Sequence, residues 1–466
     1  MPLTPVESVA QRMYRAAVDD LVAQYAALPP GAPVRLAKRT SNLFRPRVDT
    51  GSPGLDVSAF RGVLTVDAAN RTADVLGMTT YEELVAATLP HGLVPLCVPQ
   101  LRTITLGGAV TGLGIEAASF RNGCPHESVL DMDVLTGDGR VVTATPDGEN
   151  ADLFFGFPNS YGSLGYALRL RIELEPATPL VLLRHVPCGD AAGLAKTIAE
   201  VTASGTHDGV RVDYVDGTVF ADDESYLTLA TYTDDPEGRA PSDYTGERIY
   251  YRSIRERSTD VLTTLDYLWR WDTDWFWCSR AFGAQVPLVR RFWPRHLLRS
   301  DVYWKLVAFD RRTSFSSRLA TVRRRPQREN VVQDVEIPVE ALPDFLDFFH
   351  REVGIEPVWV CPLRQRDPAA RWPLYELDPT TTYVNVGFWS TVAVPRGVDP
   401  GEGRVNRRIE QVVTSLGGKK SLYSTAFYGR EEFARIYGGE TYAALRDRYD
   451  PAGRLPDMWT KTVGRG

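Results

Sequence analysis

The chain has 466 residues, of which 43% are hydrophobic and 24% charged, and its formal net charge is −6 at pH 7. This length predicts two domains, the composition is that of a globular protein, and the negative charge argues against general nucleic-acid binding. The five cysteines are scattered, so we expect neither a zinc site nor a disulfide framework. Without a signal-peptide pattern or a long apolar run, the sequence predicts a cytoplasmic protein.

The first part of the chain predicts a mixture of helices and strands. Residues 6–27 have apolar side chains at helical spacing and stop at Pro29, which predicts a helix. Short strands are predicted at 34–37 and 63–67. A further helix is predicted from Thr79 to about Leu89, because a hydroxyl side chain precedes acidic residues there.

Three glycine clusters follow, at 103–108, 111–116 and 161–165, each beside small hydroxyl residues and apolar runs typical of strands. Glycine lets the backbone approach a ligand closely because it has no Cβ and tolerates positive φ. Exposed amides in such turns bind anions such as a pyrophosphate. The clusters therefore predict a large polar ligand held along the backbone.

One alternative is a dinucleotide-binding turn of the Rossmann type. The segment from Gly112 to Ala117 fits its loose pattern, and Asp133 lies near the expected offset. A true turn of this type is followed directly by a helix. Because Gly123 and Pro125 break any long helix after Ala117, the sequence disfavours this alternative.

The second half of the chain alternates between strand-like and helical segments. Strands are predicted at 210–215, 226–232 and 382–388, and helices at 190–204, 338–353 and 405–415. We expect an antiparallel sheet covered by helices, and therefore a second domain.

A basic and aromatic region interrupts this second half. Six of the ten tryptophans lie between residues 265 and 309, and residues 280–328 hold thirteen basic side chains against two acidic ones, a local charge of +11. Two interpretations carry equal weight: contact with an anionic lipid surface, or an aromatic core surrounded by solvated arginines. Single-stranded nucleic acid is disfavoured because no other feature supports it.

The glycine clusters and the segment Asn150–Phe155 occur in an order that resembles the FAD-binding domain of the vanillyl-alcohol oxidase/p-cresol methylhydroxylase (VAO/PCMH) flavoproteins. The Δ24-sterol reductase branch is more similar still, since Gly107–Glu116 matches its Gly-Gly-x-x-x-Gly-x-Gly-Ile-Glu segment and similarity continues at 331–334, 359–362 and 428–433. The resemblance implies a two-domain α+β fold. Its parts would be an FAD-binding domain at 1–178, a substrate domain with a helix-covered antiparallel sheet at 179–400, and a C-terminal segment at 401–466 packing back on the FAD domain.

The resemblance also implies a set of FAD-binding residues. These are Arg39, Thr40, Ser41, Asn42, Thr103, Thr105, Gly107, Gly108, Gly112, Gly114, Ile115, Ser119, Asp152, Ser160, Gly162, Gly165 and Lys419. At 38–45, hydroxyls, an amide and cations replace the first glycine-rich loop of many family members, and the histidine that anchors FAD covalently in some of them is missing. We therefore expect non-covalent FAD, with a solvated basic turn as the alternative for this loop.

Three residues are candidates for catalysis, namely Glu116, Asp334 and Tyr423. Glu116 would bind a ribityl hydroxyl, orient substrate or move a proton, although a structural ion pair is at least as good an interpretation. Asp334, or its neighbour Gln333, would orient or protonate substrate, and Tyr423 is a possible proton donor. No metal site is expected.

The branch that this chain resembles reduces an isolated alkene in a lipid, which implies hydride from NADPH through FAD and a proton from a protein acid. Length, composition and the basic-aromatic region also resemble actinobacterial reductases that convert a 10-methylene fatty acyl chain to a 10-methyl chain in tuberculostearic acid synthesis. A methyltransferase partner makes the methylene intermediate there. We expect this activity, with peripheral contact to the inner face of the cell membrane. The alternatives are an FAD-dependent oxidase of a hydroxylated small molecule and a flavin-free lipid-binding protein.

Overall fold

The computed structural model describes residues 8–38, 44–45, 51, 54–236, 238–313 and 326–463. Its helices are α1 (Val9–Ala26), α2 (Tyr81–Thr88), α3 (Leu106–Gly112), α4 (Ser119–Asn122), α5 (Ala151–Gly156), α6 (Ala191–Ser204), α7 (Tyr250–Glu256), α8 (Thr264–Leu268), α9 (Pro287–Phe292), α10 (Ser300–Thr313), α11 (Leu342–Glu352), α12 (Arg404–Ser415), α13 (Arg430–Ile436), α14 (Gly439–Tyr449) and α15 (Met458–Thr462). Its strands are β1 (Val63–Asp67), β2 (Thr72–Leu76), β3 (Leu93–Pro95), β4 (Val129–Thr136), β5 (Val141–Ala144), β6 (Gly165–Pro176), β7 (Leu180–Gly189), β8 (Thr206–His207), β9 (Val210–Arg211), β10 (Tyr214–Ala221), β11 (Glu224–Thr233), β12 (Thr259–Thr263), β13 (Arg328–Pro338), β14 (Val358–Leu363), β15 (Tyr383–Ala393) and β16 (Lys419–Lys420).

Within these ranges the strands form two large sheets whose pairings are all antiparallel. The first sheet has the order β1-β2-β6-β4-β5, with β3 paired to the end of β6. The second has the order β12-β7-β11-β10-β14-β15-β13-β16. The predicted α+β fold with an antiparallel second sheet is confirmed.

Local signals explain the N-terminal elements. Ser8 and Gln11 form a reciprocal cap at the start of α1, and the helix buries Leu21 and Tyr25. The Tyr25 hydroxyl donates to Gly137 O at 2.6 Å, which ties α1 to the turn between β4 and β5. The predicted helix over 6–27 is therefore confirmed as Val9–Ala26. The predicted strand at 34–37 is wrong, because only Leu36 forms a bridge there, to Leu55.

Helices α6, α11 and α12 cover one face of the second sheet through a shared apolar cluster. On β13, Val331, Val335 and Ile337 belong to that cluster, so the alternate residues of the strand point to the opposite face, toward the glycine-rich segment. The predicted strand at 210–215 is wrong as one element: β9 pairs with β8 in a separate ribbon, and β10 begins only at Tyr214.

The last part of the chain contacts the second sheet, helix α5 and the third glycine cluster. β16 pairs with β13 in the second sheet. Arg448 pairs with Asp152 of α5 at 2.9 Å, and Lys461 Nζ donates to Gly162 O at 2.6 Å. In the described ranges, no helix combines the length and the apolar character needed to cross a bilayer.

Candidate functional site

A cleft of about 330 Å³ lies between the glycine-rich segment and the second sheet. Residues of the segment 99–116 form one wall, which we call the glycine wall. Side chains of β13, β14 and β15, together with Tyr423, form the opposite wall, which we call the sheet wall. Trp275 and Phe276 close the cleft from the tryptophan-rich segment.

Backbone packing shapes the glycine wall. Thr105 caps α3 by accepting from Gly108 N at 3.2 Å. A Cβ at Gly107 would lie 2.7 Å from Gly77 O, so a side chain there would collide with backbone, whereas Gly108 is exposed toward the cleft. Tyr161 from the third glycine cluster donates its hydroxyl to Gly112 O and holds the end of α3.

Backbone strain concentrates at this cleft. Among the described residues, seven non-glycine residues have a positive φ, and four of them line the cleft: Leu113, Tyr161, Trp275 and Phe276. Such conformations cost about 1–3 kcal/mol each and persist where the surrounding structure enforces them. Their clustering supports a functional role for the cleft, and no motif in the sequence indicated it.

Glu116 lies at the end of the glycine wall with unsatisfied hydrogen-bonding capacity. Its Oε1 accepts from Gln100 N at 2.8 Å, but Oε2 has no hydrogen-bond partner among the described residues, and neither has the Gln100 side-chain amide. Burial raises the pKa of Glu116 well above its usual value. The Glu116 carboxyl forms no ion pair with a described residue. The alternative interpretation of Glu116 as half of a structural ion pair therefore has no support among these residues. Buried polar atoms left unpaired are costly, so these atoms fit a polar ligand in the cleft.

Asp334 lies on the sheet wall, whereas Gln333 points to the other face of the sheet. There the Gln333 side-chain amide donates to Asn406 Oδ1 at 2.7 Å. Gly387 is the cross-strand partner of Asp334, and a Cβ at Gly387 would collide with Asp334 Oδ1. Asp334 Oδ1 has no hydrogen-bond partner in the described part of the chain. Of the two sequence candidates, only Asp334 has access to the cleft.

The surroundings of Asp334 change the pKa of its carboxyl. Burial raises the pKa of Asp334 to about 7, although Tyr423, Asn385 and Lys420 lower it in part. Burial, followed by the charge of Asp334, raises the pKa of Tyr423 well above its usual value, so its hydroxyl stays protonated. Trp389 Nε1 donates to the Tyr423 hydroxyl at 2.8 Å and fixes its position.

A second cavity of about 920 Å³ adjoins the cleft. Phe44, Trp275 and Trp389 line both cavities, so the boundary between the two cavities is aromatic. Phe282 lines the second cavity from the tryptophan-rich segment, and the exposed Arg280 lines it beside Phe282. We call this second cavity the chamber.

The tryptophan-rich segment forms an aromatic core at its start. Trp269, Trp271, Trp275 and Trp277 are all buried. Two arginines of the segment form buried ion pairs: Arg270 pairs with Asp216 of β10 at 2.9 Å, and Arg290 pairs with Asp274 of the same segment at 2.6 Å. The core interpretation thus describes this first part, while the later part, around α9, is exposed.

The structure brings together some of the predicted FAD-binding residues and all three catalytic candidates. Those that line the cleft are Thr103, Thr105, Gly108, Gly112, Gly114, Ile115, Glu116, Asp334 and Tyr423. Those that do not are Gly107, Ser119, Asp152, Ser160, Gly162, Gly165 and Lys419. Arg39, Thr40, Ser41 and Asn42 lie outside the described residues.

The residues outside the cleft have other contacts. Ser119 Oγ accepts from Glu116 N at 2.9 Å and positions that residue from behind. Lys419 lies over the Tyr375 ring at 5.7 Å, and burial lowers its pKa to about 8. Ser160 is buried, and Gly165 begins β6.

Sequence reasoning missed several residues of the cleft. Gln100 and Tyr161 stand in the glycine-rich segments, but nothing in their residue types marked them as ligand contacts. Trp389 has no motif around it at all. Among the described residues no group of histidine, cysteine and acidic side chains is arranged to hold a metal ion.

Comparison with known proteins identifies the cofactor. Residues 16–145 match the FAD binding domain family. The Delta(24)-sterol reductase of Arabidopsis thaliana is 24% identical over 438 residues, covering 88% of this chain and 76% of that protein. The Delta(24)-sterol reductase of Homo sapiens is 25% identical over 422 residues, covering 86% and 75%. Cytokinin dehydrogenase 7 of Oryza sativa subsp. japonica is 34% identical over 160 residues, covering 34% of this chain and 30% of that protein.

The chain therefore contains an FAD-binding domain of the VAO/PCMH type and is a distant homologue of Delta(24)-sterol reductases. It is an FAD-dependent oxidoreductase. The cleft fits this cofactor, because the exposed Gly108 leaves room for close approach and the unpaired polar atoms of Gln100 and Glu116 offer hydrogen bonds.

Proposed function

We propose that the protein reduces a carbon–carbon double bond in a lipid, with NADPH as the electron source and non-covalent FAD in the cleft. The substrate of this proposal is a 10-methylene fatty acyl chain, which becomes a 10-methyl chain. The observation that carries the proposal is the buried Asp334 carboxyl, with a pKa of about 7, facing the glycine wall across the cleft. The distant similarity to Delta(24)-sterol reductases, which are named as reductases of a lipid, also supports the proposal.

The glycine wall would hold the cofactor. Thr103, Thr105 and Gly108 offer hydroxyls and open backbone, and Gln100 and Glu116 offer unpaired polar atoms. When bound, FAD supplies hydride-transfer chemistry. No histidine or cysteine stands among the described lining residues, which supports non-covalent binding. The protein should then release its flavin on mild acid denaturation.

The sheet wall would supply the proton. An isolated alkene is a poor hydride acceptor, so protonation of one carbon must accompany hydride addition to the other. Asp334 has a free Oδ1 and is protonated in part at neutral pH, so it donates this proton and regains one from solvent. The balance is one alkene, one NADPH and one proton, giving the saturated chain and NADP⁺. Tyr423 and Trp389 keep the carboxyl in position.

The chamber would hold the rest of the lipid. Its volume of about 920 Å³ and its aromatic boundary with the cleft suit a hydrocarbon chain that reaches past Trp275 and Trp389 toward Asp334. A methyltransferase that makes the methylene group would act before this protein. Both enzymes would work on the cytoplasmic side of the membrane.

An anaerobic absorbance titration with NADPH tests the electron source. We expect the flavin band near roughly 450 nm to bleach, and a 10-methylene acyl lipid then to reoxidise the flavin and gain 2 Da by mass spectrometry. A flavin that ignores NADPH but is bleached by an alcohol would overturn the reductase and establish an oxidase. A protein that binds lipid but no added FAD would overturn both.

A further inference from the structure

We propose that the outer face of α9 docks the protein on an anionic lipid bilayer. Among the described residues, twelve large apolar side chains are exposed, and six of them lie between residues 286 and 306. They are Val286, Leu288, Val289, Phe292, Leu297 and Leu306. Phe292 is 77% exposed and Leu288 69%, which places the centre of this patch on α9. We call the four of them on and next to α9, namely Val286, Leu288, Val289 and Phe292, the α9 patch.

Helix α9 exposes apolar side chains and buries an arginine, which is the reverse of an ordinary surface helix. Of its two arginines, Arg291 is exposed, whereas Arg290 is buried and donates to Asp274 Oδ1 at 2.6 Å and to Gly246 O at 2.7 Å. At about 100° per residue, Leu288 and Phe292 lie on the side of the helix opposite Arg290. The ion pair with Asp274 thus fixes α9 with its apolar side toward solvent. Exposed apolar side chains held this way mark an interaction surface.

The charge around the patch selects an anionic partner. Arg280 and Arg291 are exposed and form no ion pair with a described residue. Arg295 is also exposed, and its partner Asp243 lies at the surface. Exposed Phe and Leu beside Arg suit the boundary between headgroups and acyl chains, where apolar side chains insert and guanidinium groups meet phosphates.

The position of the patch favours a bilayer over a protein as its partner. The short helix Cys278–Phe282 lines the chamber and leads within four residues to α9. Phe282 stacks on Tyr303 at 5.8 Å, and Trp293, which follows α9, contacts the same ring at 6.3 Å. A bilayer on the α9 patch would therefore lie beside the wall of the chamber. This step of the argument rests on the proposed lipid substrate.

Vesicle co-sedimentation of the full FAD-loaded chain tests the docking. We expect binding to phosphatidylglycerol vesicles, at least about tenfold weaker binding to phosphatidylcholine vesicles, and weakening by salt. The double variant Leu288→Glu/Phe292→Glu should bind phosphatidylglycerol at least about tenfold more weakly. Met13→Glu is the matched control, because Met13 on α1 is also 69% exposed, and it should bind like the parent.

Three outcomes would overturn the docking: no vesicle binding by the parent, unchanged binding by the double variant, or a dimer in light scattering that the double variant abolishes. Reduction of a detergent-dispersed methylene lipid separates this proposal from the proposed function. The double variant should keep its flavin and this activity. Failure of vesicle binding with intact reduction would refute the docking alone, whereas vesicle binding without reduction would refute the proposed function alone.

Discussion

The two walls of the cleft are built in different ways. The glycine wall is one continuous segment whose shape comes from backbone packing, such as Gly107 against Gly77. The sheet wall is assembled from side chains far apart in the chain, including Asp334, Trp389 and Tyr423. Each wall has a buried carboxyl: burial raises the pKa of Glu116 well above its usual value and the pKa of Asp334 to about 7. In the proposed function, the first wall would hold the cofactor and the second would supply the proton.

The largest expected effect comes from Asp334→Asn, which removes the proton donor while keeping the shape. We expect turnover of a methylene lipid to fall about a thousandfold, since general acid catalysis contributes roughly 10²–10⁴-fold. Flavin content and bleaching by NADPH should stay unchanged. Glu336→Gln is the matched control, because Glu336 is buried on the same face of β13 but does not line the cleft. Its turnover should stay near that of the parent, and equal losses in both variants would contradict the assignment.

The glycine wall is tested by Gly108→Leu. A Cβ at this position would lie 2.8 Å from the Thr105 hydroxyl that caps α3, so the Thr105 side chain must shift, but the Cβ meets no backbone atom. Because Gly108 is exposed toward the cleft, the rest of the new side chain would extend into the cleft. We expect FAD to bind about 10–100-fold more weakly, as overpacking costs roughly 1–3 kcal/mol. Fluorescence titration of the apoprotein measures it. Gly429→Leu is the control, since no atom lies within 4 Å of its Cβ position. Unchanged FAD affinity in Gly108→Leu would place the cofactor elsewhere.

The smallest expected effect is a pH dependence specific to the sheet wall. With a pKa of about 7, Asp334 loses its proton above neutrality, so turnover should fall about tenfold per pH unit there. The free energy of unfolding should also depend on the protonation of Asp334. Because burial raises this pKa from 3.8, the protonated form favours folding, and its contribution is full below pH 3.8 and lost as the pH rises through about 7.

Thermal unfolding between pH 4 and 8 tests this contribution of Asp334 to stability. The parent should lose stability across the interval, and Asp334→Asn should lose less, because asparagine has no charge to bury. A parallel decline in both proteins would show that another group dominates the pH dependence.

Elements with local signals could be predicted from the sequence. The helix α1 has a cap and a regular apolar spacing, and α2 begins at Thr80 with the expected cap from Glu83. The strand expected at 210–215 failed because a local ribbon takes its first two residues, and strand propensity does not say which partner a strand chooses.

The same reasoning explains which half of the site could be predicted. The glycine wall has a spacing that reflects backbone constraints, so its residues were found. On β13, alternation places Gln333 and Asp334 on opposite faces, but only the helices packed on Gln333 show which face is which. Trp389 reaches the cleft through the pairing of β15 with β13, a contact that no local pattern encodes.

The contact of Lys461 with the third glycine cluster has a consequence for the synthesis of the protein. Its Nζ donates to Tyr161 O at 3.2 Å and to Gly162 O at 2.6 Å. At roughly 5–20 residues per second, the ribosome needs roughly 15–60 s to proceed from Glu116 to Tyr423. The glycine wall emerges long before the residues that complete its surroundings. If FAD binds in the cleft as proposed, its complete site forms only after the sheet wall has been synthesised, so we expect the flavin to load after most of the chain has left the ribosome.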